Sequence, residues 1–116
     1  MSVVDDFVSV LKGMGYRTHT MRQPVMKDCK DVIIDITDAN IEIESVSSYR
    51  MRYDIGLLFM CYGSDEYYNL INDIIENVYK NLNDVKFKWK DISTEMNNEG
   101  YLVTFIGEYT EVIYVG

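Results

Sequence analysis

The chain has 116 residues, 47% of them hydrophobic, and a formal net charge of −8 at pH 7. That length suffices for one compact core and not two, and the acidic balance disfavours phosphate or nucleic-acid binding across the surface. Two cysteines, Cys29 and Cys61, and a single histidine, His19, are too few and too dispersed for a zinc or iron–sulfur site. No metal or cofactor is expected, and the cysteines are expected to be reduced, structural thiols of an intracellular compartment.

The opening MSVVDDFVSVL carries acidic residues ahead of its apolar ones and lacks the basic start of a signal peptide. No stretch approaches the roughly 20 apolar residues that cross a bilayer. A protein that works in a cytoplasm, or in an assembly built there, is expected. Residues 3–14 place Val3, Phe7, Val10, Leu11 and Met14 at spacings of three and four, with Asp5, Asp6, Ser9 and Lys12 opposite. This predicts a short amphipathic helix, capped by Ser2 and stopped by Gly13 and Gly15, that must dock to be stable.

From Tyr16 to Asp31 the chain is polar and holds its one proline, Pro24. A short strand at 16–18 and then a loop of roughly 12 residues are expected, either as a binding surface or as a plain connector. Val32–Ile36 is an apolar strand, Asp38 and Asn40 signal a turn, and Ile41–Ser45 alternates isoleucine with glutamate as a half-exposed strand. A turn at 45–48 would return the chain as a hairpin, bringing Arg50 and Arg52 within reach of Glu42 and Glu44.

The returning segment sets Tyr49, Met51, Tyr53, Ile55, Leu57, Phe59 and Cys61 on one face. Its other face begins polar, with Arg50, Arg52 and Asp54, and ends apolar, with Leu58 and Met60. That pattern predicts a strand protruding at its start and central at its end, with Gly56 marking a bend or bulge between. Ser64 then caps a helix whose stripe is Leu70, Ile71, Ile74, Ile75, Val78 and Leu82, the strongest helical signal in the chain. Val85, Phe87 and Trp89 alternate with Lys86, Lys88 and Lys90, the lysine row of a protected edge strand or, less simply, a phosphate-contacting ridge. A strand at 92–96, a hairpin turn at 97–100, and one or two closing strands broken at Gly107 complete the chain.

The elements make a single α+β domain over residues 1–116. Its sheet is mostly antiparallel, with a long protruding hairpin, and packs against one main helix and a short N-terminal helix. No nucleophile–base pair, metal set or phosphate loop is present, His19 has no neighbour in sequence to work with, and no catalytic residue is assigned. Ten tyrosines are more than so small a domain buries readily, Tyr49, Tyr53, Tyr62, Tyr67, Tyr68, Tyr109 and Tyr114 especially. Tyrosine and arginine are enriched in protein interfaces, which favours an assembling protein over an enzyme.

Three pieces, VVDDFVSVLKGMGY, SSYRMRYDIGLLFMCYGSDEYYNLINDIIENVYKNL and GYLVTFIGEYTEVIYVG, follow an order of elements that resembles the tail-terminator, or tail-completion, proteins of long-tailed bacteriophages and phage-like particles. The resemblance implies a virion protein of the tail–neck junction, assembled in the host cytoplasm. In that role a ring, six-membered in the family, caps the tail tube, ends its polymerisation and docks the head connector. The implied partners are further copies of the chain, the tail tube protein, the head-completion protein and, in a contractile tail, the sheath. DNA would pass through the ring without specific binding, and no membrane is involved. A closed ring needs two different patches on each subunit. The hairpin residues Tyr49, Arg50, Arg52, Tyr53 and Asp54 and the terminal-strand residues Tyr109 and Tyr114 are the candidates. The alternatives are another neck, head–tail joining or tail tube protein, or a small acidic bacterial binding or immunity module.

Overall fold

A computed structural model of the chain describes residues 3–20, 26–82 and 87–115. Helix α1 (Val3–Gly13) is followed by strands β1 (Arg17–His19), β2 (Asp31–Ser45) and β3 (Ser48–Cys61). The main helix comprises α2 (Ser64–Asp73), a π-helical segment (Ile74–Val78) and α3 (Tyr79–Leu82), and strands β4 (Phe87–Met96) and β5 (Tyr101–Tyr114) end the fold. The five strands form one sheet in the order β1-β2-β3-β5-β4, antiparallel except for the short β1–β2 pair. This is the expected α+β arrangement, with β3 at its centre.

The helices cover one face of one half of the sheet. Phe7 and Leu11 of α1 and Leu70, Ile74 and Val78 of the main helix are buried against Phe59, Phe87, Val103 and Phe105. The rings meet edge to face, Phe7 on Phe87 at 5.2 Å and Phe59 on Phe105 at 5.6 Å between centroids, the geometry that the ring quadrupole favours. The stripe of the main helix packs as its spacing predicts, with Ile71, Ile75 and Leu82 at the margin of the core. In the π segment the Ile75 carbonyl accepts the Trp89 indole N–H at 3.2 Å. The face of α1 is rotated from the expected one: Val4 and Val8, with Phe7 and Leu11, touch the core, whereas Val10 does not.

Several local readings change. The expected cap Ser2 lies outside the described residues, as do Val85 and Lys86 of the lysine row. Gly63, not Ser64, occupies the N-cap of α2. Asp38 and Asn40 make no turn: β2 runs through them, and a one-residue bulge at Thr37 absorbs the irregularity while the ladder to β3 continues. Strand β5 is likewise unbroken at Gly107, where the Phe87 ring rests on the backbone and a Cβ would lie 2.2 Å from it. At Gly56 the ladder from β3 to β5 is regular. The bulges sit in the neighbouring strands at the same level, Thr37 in β2 and Lys90 in β4. Together with Gly56 and Gly107 they draw a line across the sheet.

Cys29 and Cys61 are joined as a disulfide with their Cα atoms 4.9 Å apart, in place of the expected free thiols. The bridge ties the turn before β2 to the end of β3. Glu66 Oε2 lies 3.5 Å from the Cys29 sulfur, which in a disulfide has no proton to give.

Candidate interaction surface

Beyond that line the sheet continues, and among the described residues no helix packs on it. The distal parts of β2, β3 and β5 form a three-stranded ribbon, and the molecule measures 53 × 23 × 22 Å. Register fixes the composition of its two faces, because directly opposed residues share a face. Ile43, Tyr49 and Ile113 align across the ribbon, as do Ile41, Met51 and Glu111, and then Ala39, Tyr53 and Tyr109. These rows prolong the face that carries Phe59 and Phe105 in the body. It is the core face of the sheet, running out past the end of the helices.

Along β3 the change is abrupt. The first seven residues are half-buried or exposed, and six of the following seven are buried. On the ribbon Ile41 is 66% exposed, Ile43 80% and Val46, at the hairpin tip, fully exposed. With Tyr49, Met51, Tyr53, Ile113 and Val115 they line an apolar groove of about 530 Å³. Tyr53 closes the inner end, and its hydroxyl donates to Glu111 Oε1 at 3.2 Å. Partial burial, followed by the adjoining Glu111 carboxylate, raises its pKa above the ordinary phenol value.

The opposite face of the ribbon is charged and internally paired. Arg50 bridges to Glu44, Arg52 to Glu42 at 3.2 Å, and Lys88 to Glu108 at 3.7 Å. The bulged Lys90 reaches Asp54 at 2.8 Å, a hydrogen bond that raises the lysine pKa. The arginine–glutamate proximity inferred from the hairpin is present, on diagonals of the ladder. Lys88 and Lys90 lie on edge strand β4, each against a carboxylate of this chain.

The seven residues nominated from the sequence therefore separate. Tyr49 and Tyr53 flank the apolar groove. Arg50, Arg52 and Asp54 lie on the charged face in ion pairs. Tyr114, 80% exposed, sits at the distal end opposite Ser48. Tyr109 is buried in the core beside Phe87 and Tyr53, so its ring is withdrawn from any surface. Among the other tyrosines, Tyr67 stacks on Tyr101 at 4.6 Å and Tyr62 donates to the Met26 carbonyl at 3.0 Å, leaving Tyr68 the more exposed. The groove is also lined by Ile41, Ile43, Val46, Met51, Ile113 and Val115, which lie outside the seven nominated residues. Ile41, Ile43, Met51 and Ile113 show in the sequence only the alternation of a strand with one apolar face.

A second polar cluster closes the corner where β1 meets β2. Asp31 is buried and accepts from Arg17 Nε at 2.9 Å and from the amides of Lys27 and Asp28 at 2.8 and 3.4 Å, with His19 Nε2 3.0 Å away. Arg17 first, then His19 and the two amides, hold its carboxyl well below the usual carboxylate range against the opposing effect of burial. His19 thus gains a partner that its sequence neighbours did not reveal. Beside this corner a cleft of about 610 Å³ runs between the 28–30 turn and α2. There the Tyr16 hydroxyl donates to Asp73, and burial, then this bond, pushes the phenol far above its ordinary pKa. The cluster ties loop to sheet and sheet to helix.

Among the described residues no group of three or more metal-ligating side chains converges, and no helix is long and apolar enough to cross a membrane. Compared with models of known protein families and with curated proteins, the sequence matches none.

Proposed function

We propose that the chain is a structural subunit that associates with copies of itself, of the tail-terminator type. In this reading it forms a ring, six-membered by resemblance, that caps the tail tube of a long-tailed phage or phage-like particle and joins it to the head connector. The supporting observation is the bare apolar face of the ribbon. A protein of 13.6 kDa exposes about 6,600 Å² when compact, yet this one exposes 7406 Å². Its radius of gyration is 15.4 Å against about 13 Å for a compact domain of this length. A net charge of −8 also suits a channel through which DNA slides without adhering.

The test is electron microscopy and mass measurement of the purified protein across concentrations, alone and with tail tubes. Rings that cap tubes are expected; a protein that stays monomeric and leaves tube ends free would end the proposal. Another neck, head-completion or tube protein would assemble without capping. An acidic binding or immunity module is the reading from a different class, drawn from net charge. It would give a one-to-one complex with a basic partner and no self-association. The internal pairing of Glu42, Glu44, Asp54 and Glu108 favours apolar self-association over charge capture at the ribbon.

A further inference from the structure

We infer that the cover of the ribbon's apolar face is the outer face of the sheet body of a neighbouring copy, so that subunits overlap like shingles. This rests on the self-association proposed above and says which surfaces meet. The helices pack on one side of the body only. On the other side Ile33 aligns with Leu58, Met60 with Leu102 and Gly56 with Ile106, and no described helix lies over them. Ile33, Leu58, Leu102 and Ile106 are partly buried, and Met60 is buried. The outer face of the body thus holds an apolar strip rimmed by the exposed Asp35, Asp91 and Glu95, and each copy carries two sheet surfaces with apolar side chains, on opposite faces and in opposite halves.

The halves match in length. The distal and proximal parts of β3 are seven residues each, about 23 Å of strand. A distal half laid on a neighbour's proximal half aligns end to end, at the roughly 10 Å spacing of stacked sheets. The contact joins two different patches, so it repeats from copy to copy and closes when the rotation per step permits, as a ring requires. A ribbon-on-ribbon pair would stop at two copies and leave the outer face of the body bare. The charged face of the ribbon, already neutralised by its own ion pairs, faces away from the joint.

The experiment uses two full-length variants that each spoil one surface. Ile43→Lys puts a charge on the ribbon at an 80% exposed position. Thr104→Arg adds bulk to the centre of the outer face, beside Leu58. Circular dichroism and melting establish that both fold. If Thr104→Arg melts early, Ser93→Arg, on the same face one strand outward and exposed, replaces it. Masses come from light scattering at matched concentrations. The unmodified protein is expected to assemble and each variant alone to be a monomer. A one-to-one mixture should yield a species of twice the protomer mass, because the intact ribbon of one variant meets the intact outer face of the other and the chain then ends. A mixture that stays monomeric, or either variant assembling like its parent, overturns the shingled contact while leaving self-association standing. An unmodified protein that is monomeric throughout, with and without tubes, overturns both.

Discussion

The two halves of β3 obey the same alternation and meet different fates. From Ile55 to Cys61 the side chains of Ile55, Leu57, Phe59 and Cys61 enter a core closed by α1 and the main helix; from Ser48 to Asp54 the same face carries Tyr49, Met51 and Tyr53 away from it. Periodicity specifies which side chains share a face but is silent on what lies over it. The boundary is marked in the strands themselves: bulges at Thr37 and Lys90 and glycines at 56 and 107 fall at one level of the sheet.

The largest expected effect lies in the proximal half. Phe59→Ala would remove a fully buried ring that meets Tyr16 and Phe105, at a cost of about 3–5 kcal/mol. In urea denaturation its midpoint should fall far below that of Ile43→Lys, which changes an exposed side chain and is expected within about 0.5 kcal/mol of the parent. Similar losses for the two would erase the distinction between covered and uncovered halves.

That contrast also separates what the sequence disclosed from what it withheld. The stripe from Leu70 to Leu82, the turn at 45–48 and the turn at 97–100 depend on neighbours a few residues away, and they stand as read. The misreadings depend on distant residues. Asp38 and Asn40 look like turn formers, yet pairing to Asp54 and Arg52 keeps them in a strand. Gly107 looks like a break because the ring that needs its space, Phe87, lies twenty residues earlier in the chain. Cys29 and Cys61 meet only because β2 and β3 pair. At the candidate surface the aromatic residues Tyr49 and Tyr53 were legible by type, whereas Ile41 and Ile43 were legible only as the apolar side of a half-exposed strand. An isoleucine with a cover and one without are identical in sequence.

A smaller effect tests how the body is pinned at its corner. Asp31 is more acidic in the folded chain than in the unfolded one, with Arg17 the main cause. A carboxyl depressed in this way contributes stability that is fully present above its unfolded pKa, about 3.9, and is lost as pH falls below that value. Asp31→Asn should cost about 1–3 kcal/mol at neutral pH, the range for losing hydrogen bonds to a charged group. The difference from the parent should narrow below roughly pH 4, where Asp31 of the unfolded parent takes up a proton while the folded carboxylate stays ionised. Equal unfolding midpoints at pH 7 would mean that the corner does not pin the body.

The smallest effect is expected on the charged face of the ribbon, and it sharpens the comparison most. Arg52 and Glu42 are 47% and 60% exposed, so their bridge is screened by water and is worth about 0.2–1 kcal/mol. Arg52→Ala should therefore lower the unfolding midpoint slightly, with the difference fading at high salt. It should also leave the assembled mass unchanged, because the shingled contact uses the other face. Tyr53→Ala removes part of the apolar groove and should weaken assembly. It should also cost more stability than Arg52→Ala, since Tyr53 packs partly on the core. The two variants sit next to each other in the chain and point to opposite sides of one strand. If assembly is lost with Arg52→Ala and kept with Tyr53→Ala, the contact lies on the charged face and the uncovered apolar face has another use.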